Sequence, residues 1–311
     1  MEPSPRWIAV LRDLVLSSLR EYGLPLPLDK GVCSEWRRGL PSGPSRRVLY
    51  TSCMYQLAPA ISRAVGAIER AGAAGGGLRA ALASIGAKIF GRLVVRPDER
   101  ELERAGAILR SIYSLLRRGG VEFGLLDDEP YSGALLYELG FVDDFARHAR
   151  EVYAHFKRAG VREVITVDPH THYVLERVYP QFIPEFDIKV VSYIDLIDPA
   201  AVKVRARHFV IHDSCLYARF LDRHARVREL LASGEPVEDP LVTGRESSGC
   251  CGGPIESVAP ALSAKIARER VERLSRLSRT VVVMCPICLA SLGRAGSGLV
   301  EVRDLSELLE L

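Results

Sequence analysis

No apolar run in this 311-residue chain approaches the roughly 20 residues needed to cross a bilayer. The nearest candidate, residues 7–19, is interrupted by Arg12 and Asp13 and closed by Arg20. Its apolar residues Trp7, Val10, Leu11, Leu14, Val15 and Leu19 recur at helical spacing, which predicts an amphipathic helix and no targeting signal. A strong charge of either sign is also lacking. The 42 Lys and Arg stand against 39 Asp and Glu, a balance of +3 that gives no reason to expect a nucleic-acid surface. No G-x-G-x-x-G follows a predicted strand and no P-loop occurs, so the chain has no visible means of holding a dinucleotide or a nucleotide phosphate. What remains is ordinary for a globular protein, 48% hydrophobic and 26% charged, and long enough for one large or two modest domains.

The informative residues are cysteines. Five of the seven, Cys215, Cys250, Cys251, Cys285 and Cys288, form the pattern C-x34-CC-G-G-x31-C-P-I-C. Five thiolates exceed the four ligands of a tetrahedral zinc ion and suit an iron–sulfur cluster. Pro286 stiffens the turn between Cys285 and Cys288, and Gly252 and Gly253 are expected to let the backbone approach a cluster closely. Competing readings are a zinc site built from four of the five, a redox-active Cys285–Cys288 pair, and a strained disulfide between the adjacent cysteines. Grouped ligand cysteines also point to a reducing compartment, the cytoplasm, and away from a disulfide framework.

Two segments share a layout: RRVLYTSCMYQLAPAISRAV over 46–65 and RHFVIHDSCLYARFLDRHARV over 207–227. Each predicts a strand, a turn bearing Cys53 or Cys215, then a helix. Further on, a helix over 141–160 ending at Gly160 and a strand VREVITV lead to Asp168-Pro-His-Thr171. A helix over 261–278 and a strand TVVVM lead likewise to Cys285-Pro-Ile-Cys288. Asp168 and Thr171 precede Cys285 and Cys288 by the same 117 residues (285 − 168), which favours an internal duplication. The expected fold is therefore α/β, with two duplicated βαβ domains on parallel sheets and an N-terminal helical leader. The boundaries are 1–45 for the leader, 46–198 for the first domain and 199–311 for the second. Insertions are expected in the first domain near the Gly/Ala-rich stretch 72–77 and in a helical stretch over 98–118.

HDSC ending at Cys215, SGCCGGP around Cys250 and Cys251, and MCPICLASL around Cys285 and Cys288 make the second half resemble the CCG cysteine-rich domain of heterodisulfide reductase B and D subunits. Related domains occur in lactate-utilisation and glycolate oxidase iron–sulfur proteins and in the anaerobic glycerol-3-phosphate dehydrogenase C subunit. The resemblance implies one non-cubane [4Fe–4S] cluster on the five cysteines. It also implies a role as an electron-transfer or catalytic subunit acting on a disulfide or other sulfur substrate. A non-catalytic subunit with a structural zinc or cluster is the alternative. The implied partners are a ferredoxin-like iron–sulfur subunit and a flavoprotein or membrane redox component, since the C-x2-C-x2-C-x3-C-P pattern of cubane clusters is absent here.

The first half departs from the family pattern. Tyr131, Ser132, Asp168 and Thr171 stand where ligands belong, and only Cys53 and Gly133 are kept, so one cluster is expected, not two. Cys53 is either a thiol placed beside the cavity or a small buried residue. Asp168, His170 and His172 with Cys53 are candidates for a lesser metal site, or His170 and His172 lie on an exposed turn. His212 is either a proton donor to a departing thiolate or a buried strand histidine. Cys33 fits no set and reads as structural.

Overall fold

The computed structural model describes residues 5–41, 43, 45–73 and 97–311. The duplication predicted from spacing is visible in the sheets. Strands Arg47–Tyr50 (β1), Glu163–Thr166 (β2) and Lys189–Ser192 (β3) form one parallel sheet in that order. Strands Val210–Ile211 (β5), Thr280–Val283 (β6) and Glu301–Asp304 (β7) form a second. Between them in sequence lies Lys203–Val204 (β4), which pairs antiparallel with Leu309–Glu310 (β8) near the chain's end. Strand–helix alternation does not predict that small antiparallel ladder. The starts of β2 and β6 are separated by the same 117 residues as the turns that follow them (280 − 163). Val48–Tyr50 and Val281–Val283 are buried without alternation, as expected of strands covered on both faces.

Helices cover these sheets for legible reasons. Pro5–Tyr22 (α1) is the amphipathic leader helix, which buries Val15 against Phe145 and its neighbours. Met54–Ala73 (α2) follows Cys53 directly. Glu99–Arg118 (α3) begins where the Asp98 carboxylate accepts from the Arg100 amide at 2.9 Å. Val142–Arg158 (α4) turns Phe145, Ala149, Val152 and Phe156 inward, the face its 3.6-residue period predicts. It stops before Gly160, whose φ of +71° suits glycine. Pro260–Ser275 (α5) and Pro286–Ala295 (α6) complete the second half. Most of the Gly/Ala-rich insertion lies outside the described residues, while α3 occupies the helical stretch expected over 98–118.

The two halves share their interior. One buried cluster joins Leu49, Ile165 and Tyr193 to Ile211, Val282 and Leu305, and it includes Ile197 from the segment between the sheets. Hydrogen bonds link residues at or after the strand ends of one sheet to residues at or after those of the other. Tyr55 Oη donates to Asp304 Oδ2 at 2.7 Å, Ser192 Oγ and Tyr217 Oη meet at 2.7 Å, and His170 Nε2 lies 3.2 Å from Cys285 Sγ. The carboxyl ends of both sheets therefore meet each other, and open α/β sheets assemble their sites at such ends.

Candidate metal centre

Each cysteine of the set is placed by a local feature. Cys215 follows β5 and starts the turn of π-helix Leu216–Phe220; Cys285 follows β6 as the N-cap of α6, with Cys288 one turn along. The adjacent Cys250 and Cys251 arrive on an irregular loop. Its glycines serve a purpose that the sequence reading did not identify, close packing against protein. Gly252 has φ +83°, and a Cβ there would sit 2.6 Å from the Ser263 carbonyl oxygen. A Cβ on Gly253 would lie 2.2 Å from Ile287 Cγ2. Ser291 Oγ donates to the Cys251 carbonyl at 2.8 Å and fixes the loop on α6. The tandem pair is thus pressed against the helix that carries Cys285 and Cys288.

The five thiols are free and their sulfurs form one continuous chain of contacts, Cys215–Cys250–Cys251–Cys288–Cys285. Without metal, this chain sorts into donors and acceptors. Donation from Cys215 and then Cys251 holds the Cys250 thiol far below its usual range. Hydrogen bonding to Cys250 pushes Cys215 and Cys251 up, and contacts with Cys251 and Cys285 do the same to Cys288. Burial raises Cys285, but donation from Cys288 and the charge and hydrogen bond of His170 outweigh it and hold that thiol well below its usual range. Five sulfurs so close cannot all ionise by themselves; a polynuclear cation that takes several thiolates at once fits this donor set. Cys251, Cys285 and Cys288 are buried while Cys215 and Cys250 are half-buried, so the set has one more open side.

His212 is 1% exposed, and a ring nitrogen lies within 4.8 Å of the Cys251 and Cys288 sulfurs. Arg270 Nε donates to His212 Nδ1 at 3.0 Å. A guanidinium N–H can only donate, so Nδ1 is the acceptor and the ring proton sits on Nε2. Burial first, then Arg270, press its pKa down to about 3, and the ring is neutral at ordinary pH. A metal-bound histidine normally donates through its other nitrogen, which Arg270 prevents here. His212 is therefore equipped to donate an N–H to sulfur, neither to ligate nor to carry a mobile proton. The next residue, Asp213, is held by Arg228 through two bonds at 2.8 and 2.9 Å.

His170 was not singled out for this site by sequence, yet it bridges the halves. Its Nδ1 meets the Glu138 carboxylate and its Nε2 meets Cys285 Sγ. Burial lowers the imidazole, but Glu138 and Cys285 overcome it and hold the ring well above its usual range. In the metal-free protein, His170→Leu is expected to move Cys285 ionisation to higher pH, because the ion partner of the thiolate is lost. Ultraviolet thiolate absorbance against pH checks this; an unmoved Cys285 step would contradict it.

The lesser metal site sketched for the first half does not assemble. His170 is engaged as described, and His172 Nδ1 meets Thr166 Oγ1 at 2.8 Å. Both histidines are buried, which rules out the exposed turn as well. Among the described residues the one group of converging metal donors is His212, Cys251 and Cys288. Ser132 Oγ accepts from Ser52 Oγ at 2.8 Å, and Tyr131 Oη accepts from the Leu135 amide at 2.8 Å. Cys33, expected to belong to no set, is bonded to Cys53 in a disulfide. Spacing gave no signal for this, because the leader's approach to the β1–α2 turn is a tertiary event. Ser52 and Cys53 at that turn have φ of +52° and +58°, conformations costing of order 1–3 kcal/mol each in non-glycine residues.

Two strand ends and one glycine-bearing loop thus bring five sulfurs together, and residues 209–293 match the family described as the cysteine-rich domain, CCG. The matched segment contains all five cysteines of the set. It is similar to the probable iron-sulfur-binding oxidoreductase FadF of Bacillus subtilis (strain 168), 27% identical over 223 residues, covering 66% of this chain and 31% of that protein. It is also similar to a probable membrane-anchored ferredoxin of Chromohalobacter salexigens, 28% identical over 221 residues, covering 65% of this chain and 33% of the relative. The chain thus spans about a third of the length of these curated relatives. Among its described residues no helix is long and apolar enough to cross a membrane.

Proposed function

We propose that this chain is the cysteine-rich subunit or segment of an iron–sulfur oxidoreductase of heterodisulfide-reductase type. Its five-cysteine set, Cys215, Cys250, Cys251, Cys285 and Cys288, holds a single non-cubane [4Fe–4S] assembly. The observation that carries this reading is the unbroken chain of five free thiols, three buried and two half-buried. When bound, such a group supplies one-electron redox chemistry and an iron to which a substrate sulfur can attach. The chain's residues hold it, with His170 and His212 directed at its cysteine ligands. The half-buried side at Cys215 and Cys250 is where a disulfide or other sulfur substrate enters.

One centre, not two, is supported by the first half, where Tyr131, Ser132, Asp168 and Thr171 offer no thiolate. The chain has no ferredoxin-type motif of its own, so electrons come from a ferredoxin-like iron–sulfur subunit, with a flavoprotein or membrane redox component beyond. The names of both relatives are in keeping with iron–sulfur electron transfer. Anoxic purification followed by iron and sulfide analysis tests the reading. About four irons per chain, and an EPR signal appearing on oxidation with thiol present, are expected. A colourless protein carrying one zinc would replace this reading with a structural role, and about eight irons would overturn the single centre.

A further inference from the structure

The disulfide between Cys33 and Cys53 is asymmetric in a way that a purely structural clamp does not need. Cys33 ends the short 3-10 helix Lys30–Cys33 of the leader and is half-buried. It lines a cavity of about 220 Å³, together with Lys30, Arg37, Leu125 and the exposed Asp128. Cys53 is 3% exposed, on the other side of the bond. It belongs to the same buried cluster as Cys251, Cys285 and Cys288. It is also the residue from which α2 starts, its carbonyl accepting from the Leu57 amide at 2.9 Å and the Gln56 amide at 3.1 Å. A thiolate at the start of a 20-residue helix is stabilised by the helix dipole. One sulfur is thus reachable, and the other is a good leaving group. Exchange needs both of these properties.

We infer that Cys33 and Cys53 form a thiol–disulfide exchange site for an external dithiol. A thiolate of the dithiol, entering the cavity, attacks Cys33 Sγ. The Cys33–Cys53 bond breaks, and the Cys53 sulfur leaves as a thiolate and takes up a proton. The second thiol of the dithiol then attacks its own sulfur in the mixed disulfide, and Cys33 departs and is protonated. The balance closes: one disulfide is reduced to two thiols, the dithiol becomes a disulfide, and both protons come from the dithiol. The site goes beyond the iron–sulfur assignment and uses none of its five cysteines.

The test uses the whole chain, purified anoxically with its iron. Free thiols are counted by alkylation and intact mass before and after native incubation with dithiothreitol, and again with a reduced thioredoxin as a protein dithiol. Two new thiols, mapped to Cys33 and Cys53, are expected with at least one of these, at unchanged iron content. Success with dithiothreitol alone places the partner among small dithiols, and faster opening by thioredoxin places it among proteins. In single variants, Cys33 of Cys53→Ser is expected to react with a disulfide reagent about tenfold or more faster than Cys53 of Cys33→Ser. The inference is overturned if the pair opens only on unfolding, if both cysteines are already free in oxidised protein, or if Cys53 reacts faster. The wild-type count stands even if a variant misfolds. Iron analysis of every sample separates the two readings: exchange without iron removes only the cluster, and iron without exchange removes only this site.

Discussion

Cys285→Ser and Cys250→Ser are each expected to take bound iron from about four per chain to less than about one, with loss of visible absorbance. Both residues are the acceptors of the sulfur network, held as thiolates by their neighbours. A serine hydroxyl can take over the hydrogen bonds from Cys288 and His170 at position 285, so the fold should persist, and far-UV circular dichroism reports whether it does. At neutral pH, however, that hydroxyl offers no anionic ligand to iron. Cys33→Ser is the matching control, since Cys33 lies in the disulfide and outside the network. If Cys33→Ser bleached the protein while Cys285→Ser kept its colour, the ligand assignment would be wrong.

The second large effect belongs to Asp168, the position that corresponds to Cys285 in the second half. Asp168 is fully buried; its Oδ1 accepts from the amides of His170 and Thr171 at 2.9 Å each, and Oδ2 has no partner. Burial pushes this carboxyl up from 3.8 to about 6. The folded chain therefore binds more protons here than the unfolded chain between those values. Its contribution to stability is whole below pH 3.8 and is lost as pH rises through about 6. At neutral pH the charged carboxylate costs on the order of 3 kcal/mol. Asp168→Asn keeps the capping oxygen and removes the charge, at about 1 kcal/mol for an amide left short of a partner. A net gain of about 2 kcal/mol at pH 7, vanishing near pH 4, is expected from denaturant titration. A gain that did not depend on pH, or a loss at pH 7, would falsify this account of the buried carboxyl.

Much of the candidate site was legible because its signals are local. Strand-to-turn transitions at HDSC and MCPIC, and the glycines after the tandem cysteines, are written in consecutive residues. The register of the duplication was legible for the same reason, since equal spacing holds in β2 and β6 although Asp168 and Thr171 stand where the second half has Cys285 and Cys288. Three things were not. The purpose of Gly252 and Gly253 depends on Ser263 and Ile287, 11 (263 − 252) and 34 (287 − 253) residues further along the chain. His170 reaches Cys285 across 115 residues. His212 was noticed, but its tautomer rests on Arg270, 58 residues away.

The amino-acid order alone determined the α/β architecture, because periodicity and turn chemistry act within a few residues. It also determined which five sulfurs can meet, because three of their segments sit beside recognisable strand ends or glycine turns. Only the folded chain decided how the two halves engage: Glu138 and His170 set against Cys285, Arg270 set against His212, and Cys33 drawn to Cys53. Those contacts arise when the carboxyl ends of two sheets meet over a shared apolar core, and packing of that kind leaves no spacing in the sequence to read.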